Sequence, residues 1–235
     1  MNTRREFLVM AGGAAIVAPR IIGGPRVPAM LDHILLGCSD LERGIALVEE
    51  RTGVKAAFGG VHPGRGTQNA LLSLGERQYL EIIAPDPKQE AKADFIASYV
   101  ATLTEPRLVT WAAHRENIAE LAQKLGREKV AAAGPTPGSR ERPDGKVLRW
   151  STVNLQNNLN GLLPFFIEWG ADSVHPSVDA PKGCELQSFV AVSPNPEALV
   201  MRYRQIGIQI SVERGEKDGL RARITGPKGE MELSG

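Results

Sequence analysis

Leu31-Asp32-His33-Ile34-Leu35-Leu36-Gly37-Cys38-Ser39-Asp40-Leu41-Glu42-Arg43-Gly44-Ile45 is the stretch on which the fold turns. Its first six residues make a mostly apolar run of strand length, and Ser39 with Glu42 has the spacing of a capping box that opens a helix. Leu41, Ile45 and Val48 then share one helical face, and Gly53 supplies a left-handed stop. A strand followed directly by a capped amphipathic helix starts a β-α unit.

The same grammar recurs twice. Leu108 to Ala113 reads as a strand before a helix striped by Ile118, Leu121 and Leu125 and stopped at Gly126. Leu186 to Val192 precedes Asn195-Pro196, an N-cap and first-turn pair, with Leu199, Tyr203 and Ile206 leading to Gly207. Each helix is followed by short strand-like segments ending in a closing strand: Gln78 to Ile83, Leu162 to Trp169 and Glu230 to Leu233. The expected class is α+β, with βαβββ modules at 30–85 and 106–180 and a third, smaller related unit at 184–235. In the linker at 86–105, Phe95, Ile96, Tyr99 and Val100 suggest a short helix. A unit this small cannot bury its sheet alone, so two should pack into a half-open β-cup with ligand space inside.

The first 29 residues differ in character. Thr3-Arg4-Arg5-Glu6-Phe7-Leu8 precedes a modest apolar run to Ala18, which resembles a twin-arginine export signal and implies passage through the twin-arginine translocase to the periplasm. The alternative is an upstream start with Met30 as the true one and a cytoplasmic protein. The apolar run is too short for a permanent membrane span, which takes roughly 20 residues. Formal net charge is +1, and removing Arg4, Arg5, Arg20, Arg26 and Glu6 leaves 24 basic against 26 acidic residues, which argues against nucleic acid as a partner. Two cysteines, Cys38 and Cys184, are too few for a disulfide framework or a cysteine zinc site.

Strand alternation puts Leu31, His33 and Leu35 on one face of the first strand, and Tyr79, Glu81 and Ile83 on one face of the last strand of that module. Glu81 interrupts an apolar run, and a carboxylate buried there needs a cation or a specific donor. Glu168 interrupts the matching run of the second module. One His and two Glu would suit a divalent ion such as zinc, manganese, iron or nickel. The alternative is a hydrogen-bonded core histidine and glutamates paired with arginine, for which Arg65, Arg77, Arg149 and Arg202 are available.

His62-Pro63-Gly64-Arg65-Gly66-Thr67-Gln68-Asn69 combines turn glycines with donors suited to a carboxylate, phosphate or enolate oxygen, in Arg65, Thr67 and Asn69. His62 and His175 are candidate proton carriers, and Trp111 and Trp150 candidate walls of a substrate site. His114 reads as surface.

Together with Leu31-Asp32-His33, Cys38-Ser39-Asp40-Leu41, Tyr79-Leu80-Glu81 and Leu163-Pro164-Phe165-Phe166-Ile167-Glu168-Trp169, this loop resembles a glyoxalase-like domain of the vicinal oxygen chelate superfamily. The resemblance covers about residues 31 to 180. It implies paired βαβββ modules, a divalent metal on strand residues, here His33, Glu81 and Glu168, and lyase or isomerase chemistry on a small substrate with adjacent oxygens, through a metal-stabilised enolate with Arg65 beside it. A metal-free protein that binds or sequesters a small molecule on the same fold is the alternative. One departure stands out: Leu108-Val109-Thr110-Trp111-Ala112 offers no strong ligand. A cup of the first and third units, with Gln187 and Glu232, is the second possible pairing.

Overall fold

The computed structural model describes residues 21–89 and 95–235; Arg4, Arg5 and the apolar run of the export-signal reading lie outside them. Along the chain run β1 (Ile21–Gly23), β2 (Leu31–Gly37), α1 (Leu41–Thr52), β3 (Ala57–His62), β4 (Thr67–Gly75), β5 (Gln78–Pro85) and α2 (Phe95–Ala101). Next come β6 (Arg107–His114), α3 (Ile118–Arg127), β7 (Ala132–Glu141), β8 (Val147–Leu155), β9 (Phe165–Trp169) and α4 (Pro176–Asp179). The last part holds β10 (Glu185–Ser193), α5 (Pro196–Gln205), β11 (Ser211–Arg214), β12 (Gly219–Gly226) and β13 (Gly229–Ser234). The architecture is α+β, a curled sheet with few helices.

Eight strands form one sheet in the order β3-β4-β5-β2-β6-β9-β8-β7. Its halves are alike: β2 lies parallel to β5, β6 lies parallel to β9, and β2 and β6 join the halves antiparallel. The sheet curls until its edges, β3 and β7, approach one another. Gly59 and Gly60 allow this, since a Cβ on Gly60 would stand 2.6 Å from the Glu141 carbonyl oxygen. The cup is therefore built by the first and second βαβββ units.

Each strand divides its side chains between two apolar surfaces. Ile34, Leu36, Leu72, Leu80, Ile82, Trp111 and Phe166 face outward and pack under α1, α3 and a second sheet in one continuous core. Leu35, Ile83, Val109 and Phe165 face inward, where Val100 and Ile96 of α2 plug one end of the cup. The linker helix expected from Phe95 to Val100 is thus a stopper for the cup.

The second sheet has five strands in the order β1-β11-β10-β12-β13. The third unit keeps the element order of the other two and departs from their pairing. Its first strand lies parallel to the strand directly after its helix, β11, and antiparallel to β12. Gln187 bonds Thr225 at the surface and Glu232 pairs with Arg223, so neither enters a cup.

Two local expectations are corrected. The N-cap of α1 is Asp40, which accepts from the Arg43 N–H at 2.8 Å; Ser39 makes no cap. Residues 21–29, read with the leader, are part of the second sheet: β1 pairs antiparallel with β11, and the Gly24 N–H donates to the Ile210 carbonyl and the Phe189 N–H to that of Arg26. Residues 21–29 therefore belong to the folded body. Among the described residues no helix is long and apolar enough to cross a membrane.

Candidate active site

His33 stands on β2 and Glu81 on β5, strands in parallel register, and both face the cup. Nε2 of His33 is 3.4 Å from Oε2 of Glu81, and Nε2 of His62, at the end of β3, is 3.7 Å from Oε1. The Asn69 amide donates to Glu81 Oε1 at 2.7 Å. Only 6% of Glu81 is exposed. Burial opposes its ionisation, yet His33, His62, the Asn69 hydrogen bond and Arg140 together hold the carboxyl below its ordinary range.

Behind His33 sits a second carboxylate, Asp32. Neighbours on a strand normally point to opposite faces, but the β2/β6 register shifts between Leu31 and His33, and Asp32 is the extra residue of that bulge. Its Oδ1 lies 2.7 Å from His33 Nδ1, and its Oδ2 accepts from the Trp169 indole at 3.0 Å and lies 3.3 Å from His175 Nε2. His114 Nδ1 is 3.7 Å from the same oxygen. Burial acts against the charge, and hydrogen bonds from the three histidines overcome it, so Asp32 stays well below its ordinary value. The chain's four histidines are thus distributed over two carboxylates. His33 is itself stacked on Tyr79 at 4.5 Å, whose phenol is pushed well up by burial and by Glu81 and Asp32.

The His62–Asn69 loop forms the rim. Nδ1 of His62 meets Thr67 Oγ1 at 2.8 Å, Gly64 and Gly66 take positive φ values of 72° and 71° through the turn, and Arg65 lines the mouth. Trp150, on β8, lines the opposite wall beside Trp169. Thr67, Asn69, His62, Arg65 and Trp150 therefore gather around His33 and Glu81.

Three other candidates stand elsewhere. Glu168 is turned away from the cup, because alternation along β9 gives the inner face to Phe165, Ile167 and Trp169. Its carboxylate instead accepts from the Asn117 and Ile118 N–H groups at 2.7 and 3.3 Å, serving as a cap for α3 borrowed from another element. Trp111 is fully buried on the outer face, donating to the Leu162 carbonyl and packed against Phe189. His175 touches Asp32 from outside the cup and caps α4. His114, expected at the surface, belongs to the Asp32 cluster.

The donor set does not fit the three-ligand metal expected. His33 and His62 address opposite oxygens of Glu81, the second half of the cup presents Thr110 and Ile167, and no three His, Cys, Asp or Glu among the described residues are placed to share an ion. Among the described residues, two buried cup atoms lack a hydrogen-bond partner, Thr110 Oγ1 and Asn69 Oδ1.

Arg140, on β7, was not singled out from the sequence. It is 4% exposed and reaches across the seam between the sheet edges into the cup. Nothing in the sequence around it marks it, since its place depends on two edges meeting that lie some 80 residues apart in the chain.

A family model described as "Glyoxalase-like domain" matches residues 31–207. Among solved structures, a hypothetical protein from Staphylococcus aureus superposes with a TM-score of 0.64 at 19% identity, over 80% of this chain and 87% of that one. Methylmalonyl-CoA epimerases from Mycobacterium tuberculosis and Streptomyces coelicolor give TM-scores of 0.44 and 0.45 at 16% and 18% identity. They cover 61% and 63% of this chain and 88% and 99% of their own. Among curated proteins no sequence matches. With a family model spanning most of the folded body and a sheet built of two βαβββ halves curled into a cup, the chain belongs to the glyoxalase-like domain family and has the vicinal oxygen chelate fold.

Proposed function

We infer that the chain is a glyoxalase-like enzyme of lyase or isomerase type acting on a small substrate with adjacent oxygens, and that Glu81 takes the proton from the carbon beside the carbonyl or carboxyl group. The observation that carries this reading is a buried, ionised carboxylate on the cup wall, with an imidazole beside each oxygen. Asn69 and His62 occupy the side of Oε1, while among the described residues Oε2 faces His33 and keeps a lone pair for a substrate proton. Asp32 fixes the His33 ring, so that Nε2 stays on Glu81. Protonation of the resulting enolate on its other face by water from the mouth, with Glu81 giving its proton up to solvent, gives an isomerase; expulsion of a group from the neighbouring carbon, with the proton on Glu81 passed to it, gives a lyase. Arg65 and Thr67 at the mouth orient the substrate, and Trp150 and Trp169 limit its size.

The metal-dependent form of this chemistry needs a group of donors that the described cup does not bring together. A binding or sequestering protein is the second reading, favoured by the full engagement of His33 and His62 with other side chains.

The test is hydrogen exchange. Small 2-hydroxy acids, 2-oxo acids and hydroxyketones are incubated with the protein in deuterated water, with and without zinc, manganese, iron and nickel, and loss of the proton signal is followed by NMR. Wild type is expected to exchange at least one of them, and Glu81→Gln to be slower by about 100-fold or more with its fold intact. Saturable binding without exchange would replace the enzyme by a binding protein, and exchange only on adding a metal would restore the metal-dependent form.

A further inference from the structure

We propose that Arg140 receives the carboxylate of the substrate while Asn69 Oδ1 accepts a hydrogen bond from a hydroxyl on the adjacent carbon, so that the cup takes a 2-hydroxy acid. This names the substrate class of the site described above and rests on that enzyme reading for turnover, though not for binding.

Arg140 is almost wholly buried, yet its guanidinium makes no hydrogen bond or ion pair with another side chain of the described residues. Burial disfavours its charge, and of its charged neighbours Glu81 acts in favour of that charge and Arg142 against it. A buried ion that lacks a partner is costly, and a guanidinium cannot escape by losing its proton. The planar fork of Arg140 is matched by a carboxylate, which two parallel N–H groups can hold at once.

Asn69 narrows the class. Its Nδ2 is committed to Glu81, which fixes the amide so that Oδ1 points away and stays buried without a donor. Oδ1 of Asn69 and Nη1 of Arg140 lie 2.5 and 2.9 Å from where a Cβ on Gly59 would stand. One anion-seeking group and one donor-seeking group therefore share the same cradle, which exists because position 59 has no side chain. A phosphate dianion would set its oxygens against the lone pairs of Asn69. A 2-hydroxy acid supplies the missing hydrogen, and Asn69, whose Nδ2 bonds Glu81, then holds it beside that carboxylate. The cup holds about 110 Å³, where a single water needs roughly 10–15 Å³ by the same kind of measure, so a three- or four-carbon acid fits. A longer substituent can leave through the seam beside His62 and Trp150.

The experiment is calorimetric titration of the full chain with D- and L-lactate, uncharged methyl lactate, pyruvate, which lacks the hydroxyl, and inorganic phosphate, in wild type, Arg140→Met, Arg140→Lys and Gly59→Ala. One lactate enantiomer is expected to bind roughly tenfold or more tighter than its methyl ester and tighter than pyruvate or phosphate. Arg140→Met should lose that preference while keeping the affinity for methyl lactate. Gly59→Ala keeps the charge but pushes the guanidinium and the amide aside, and should lose lactate too. If Arg140→Met fails to fold, Gly59→Ala and Arg140→Lys decide. Failure of wild type to bind lactate, equal binding of acid and ester, tighter binding of phosphate, or lactate binding unchanged in the folded variants would overturn the proposal. Lactate binding that depends on Arg140 without any proton exchange would remove the role of Glu81 and leave this site standing, whereas exchange that ignores Arg140 would do the reverse.

Discussion

Nδ1 of His33 lies 2.7 Å from Oδ1 of Asp32, the residue directly before it on β2, a contact that an unbroken strand forbids. The bulge that permits it turns two neighbours into a carboxylate–imidazole pair, and the same carboxylate holds Trp169 and His175. Asp32→Asn puts an amide N–H against at least one of these donors. Thermal unfolding is expected to show a loss of about 3 kcal/mol, with the His33 ring signals in NMR reporting a changed hydrogen-bond pattern. Unchanged stability and ring signals would mean that the cluster is not coupled as described.

Acid should weaken the protein through the same two carboxylates. Asp32 and Glu81 both have folded-state pKa values below their ordinary 3.8 and 4.5. The unfolded chain therefore takes up their protons first as the pH falls. Their contribution is complete above the ordinary values and is lost as the pH drops through 4.5 and 3.8 toward the folded ones. Urea midpoints measured from neutral pH down to about pH 3 should fall steeply in wild type and less steeply in Asp32→Asn.

Glu168→Ala is expected to leave substrate binding and proton exchange unchanged while lowering stability by about 1–2 kcal/mol, because it uncaps α3. A stability scan run beside the exchange assay separates this from a role in the cup, where the loss would fall on exchange.

A chain starting at Met30 lacks β1 and the bonds from Gly24 to Ile210 and from Phe189 to Arg26, and it leaves the Ser211 hydroxyl without Gly24 and Pro25. At about 1 kcal/mol for each of the four bonds named, with the β1 ladder adding to them, it should be at least about 4 kcal/mol less stable than a chain starting at Ile21. Parallel denaturant titrations decide this, and equal midpoints would show β1 to be dispensable.

Much of this was legible in the sequence because helix stripes and caps are local signals. The three helices striped by Leu41, Ile118 and Leu199 stand where their periodicity puts them, and the two-residue period places His33 with Glu81. Glu168 failed by parity. Both faces of β9 are apolar, one lining the cup and the other the core, so the run Phe165-Phe166-Ile167 gives no sign of which face Glu168 joins. Asp32 was hidden by a bulge, whose extra residue alternation assigns to the wrong side. The third unit shows a different limit: an identical order of elements along the chain can close into a different order of strands, because pairing is chosen by long-range contacts that no local pattern encodes.

The meeting of β3 with β7 at Gly59 and Gly60 also bears on how the protein behaves toward its own copies. An open eight-stranded sheet would offer two rows of unpaired amide and carbonyl groups, each a template for a strand from another chain. Here each edge shields the other, and the guanidinium of Arg140 lies across their join. Among the described residues the margins of the second sheet are β1 and β13, of three and six residues, and β13 carries Glu230 and Glu232. Short, charged margins are poor templates, so the closure that shapes the cup also protects the chain from edge-to-edge aggregation.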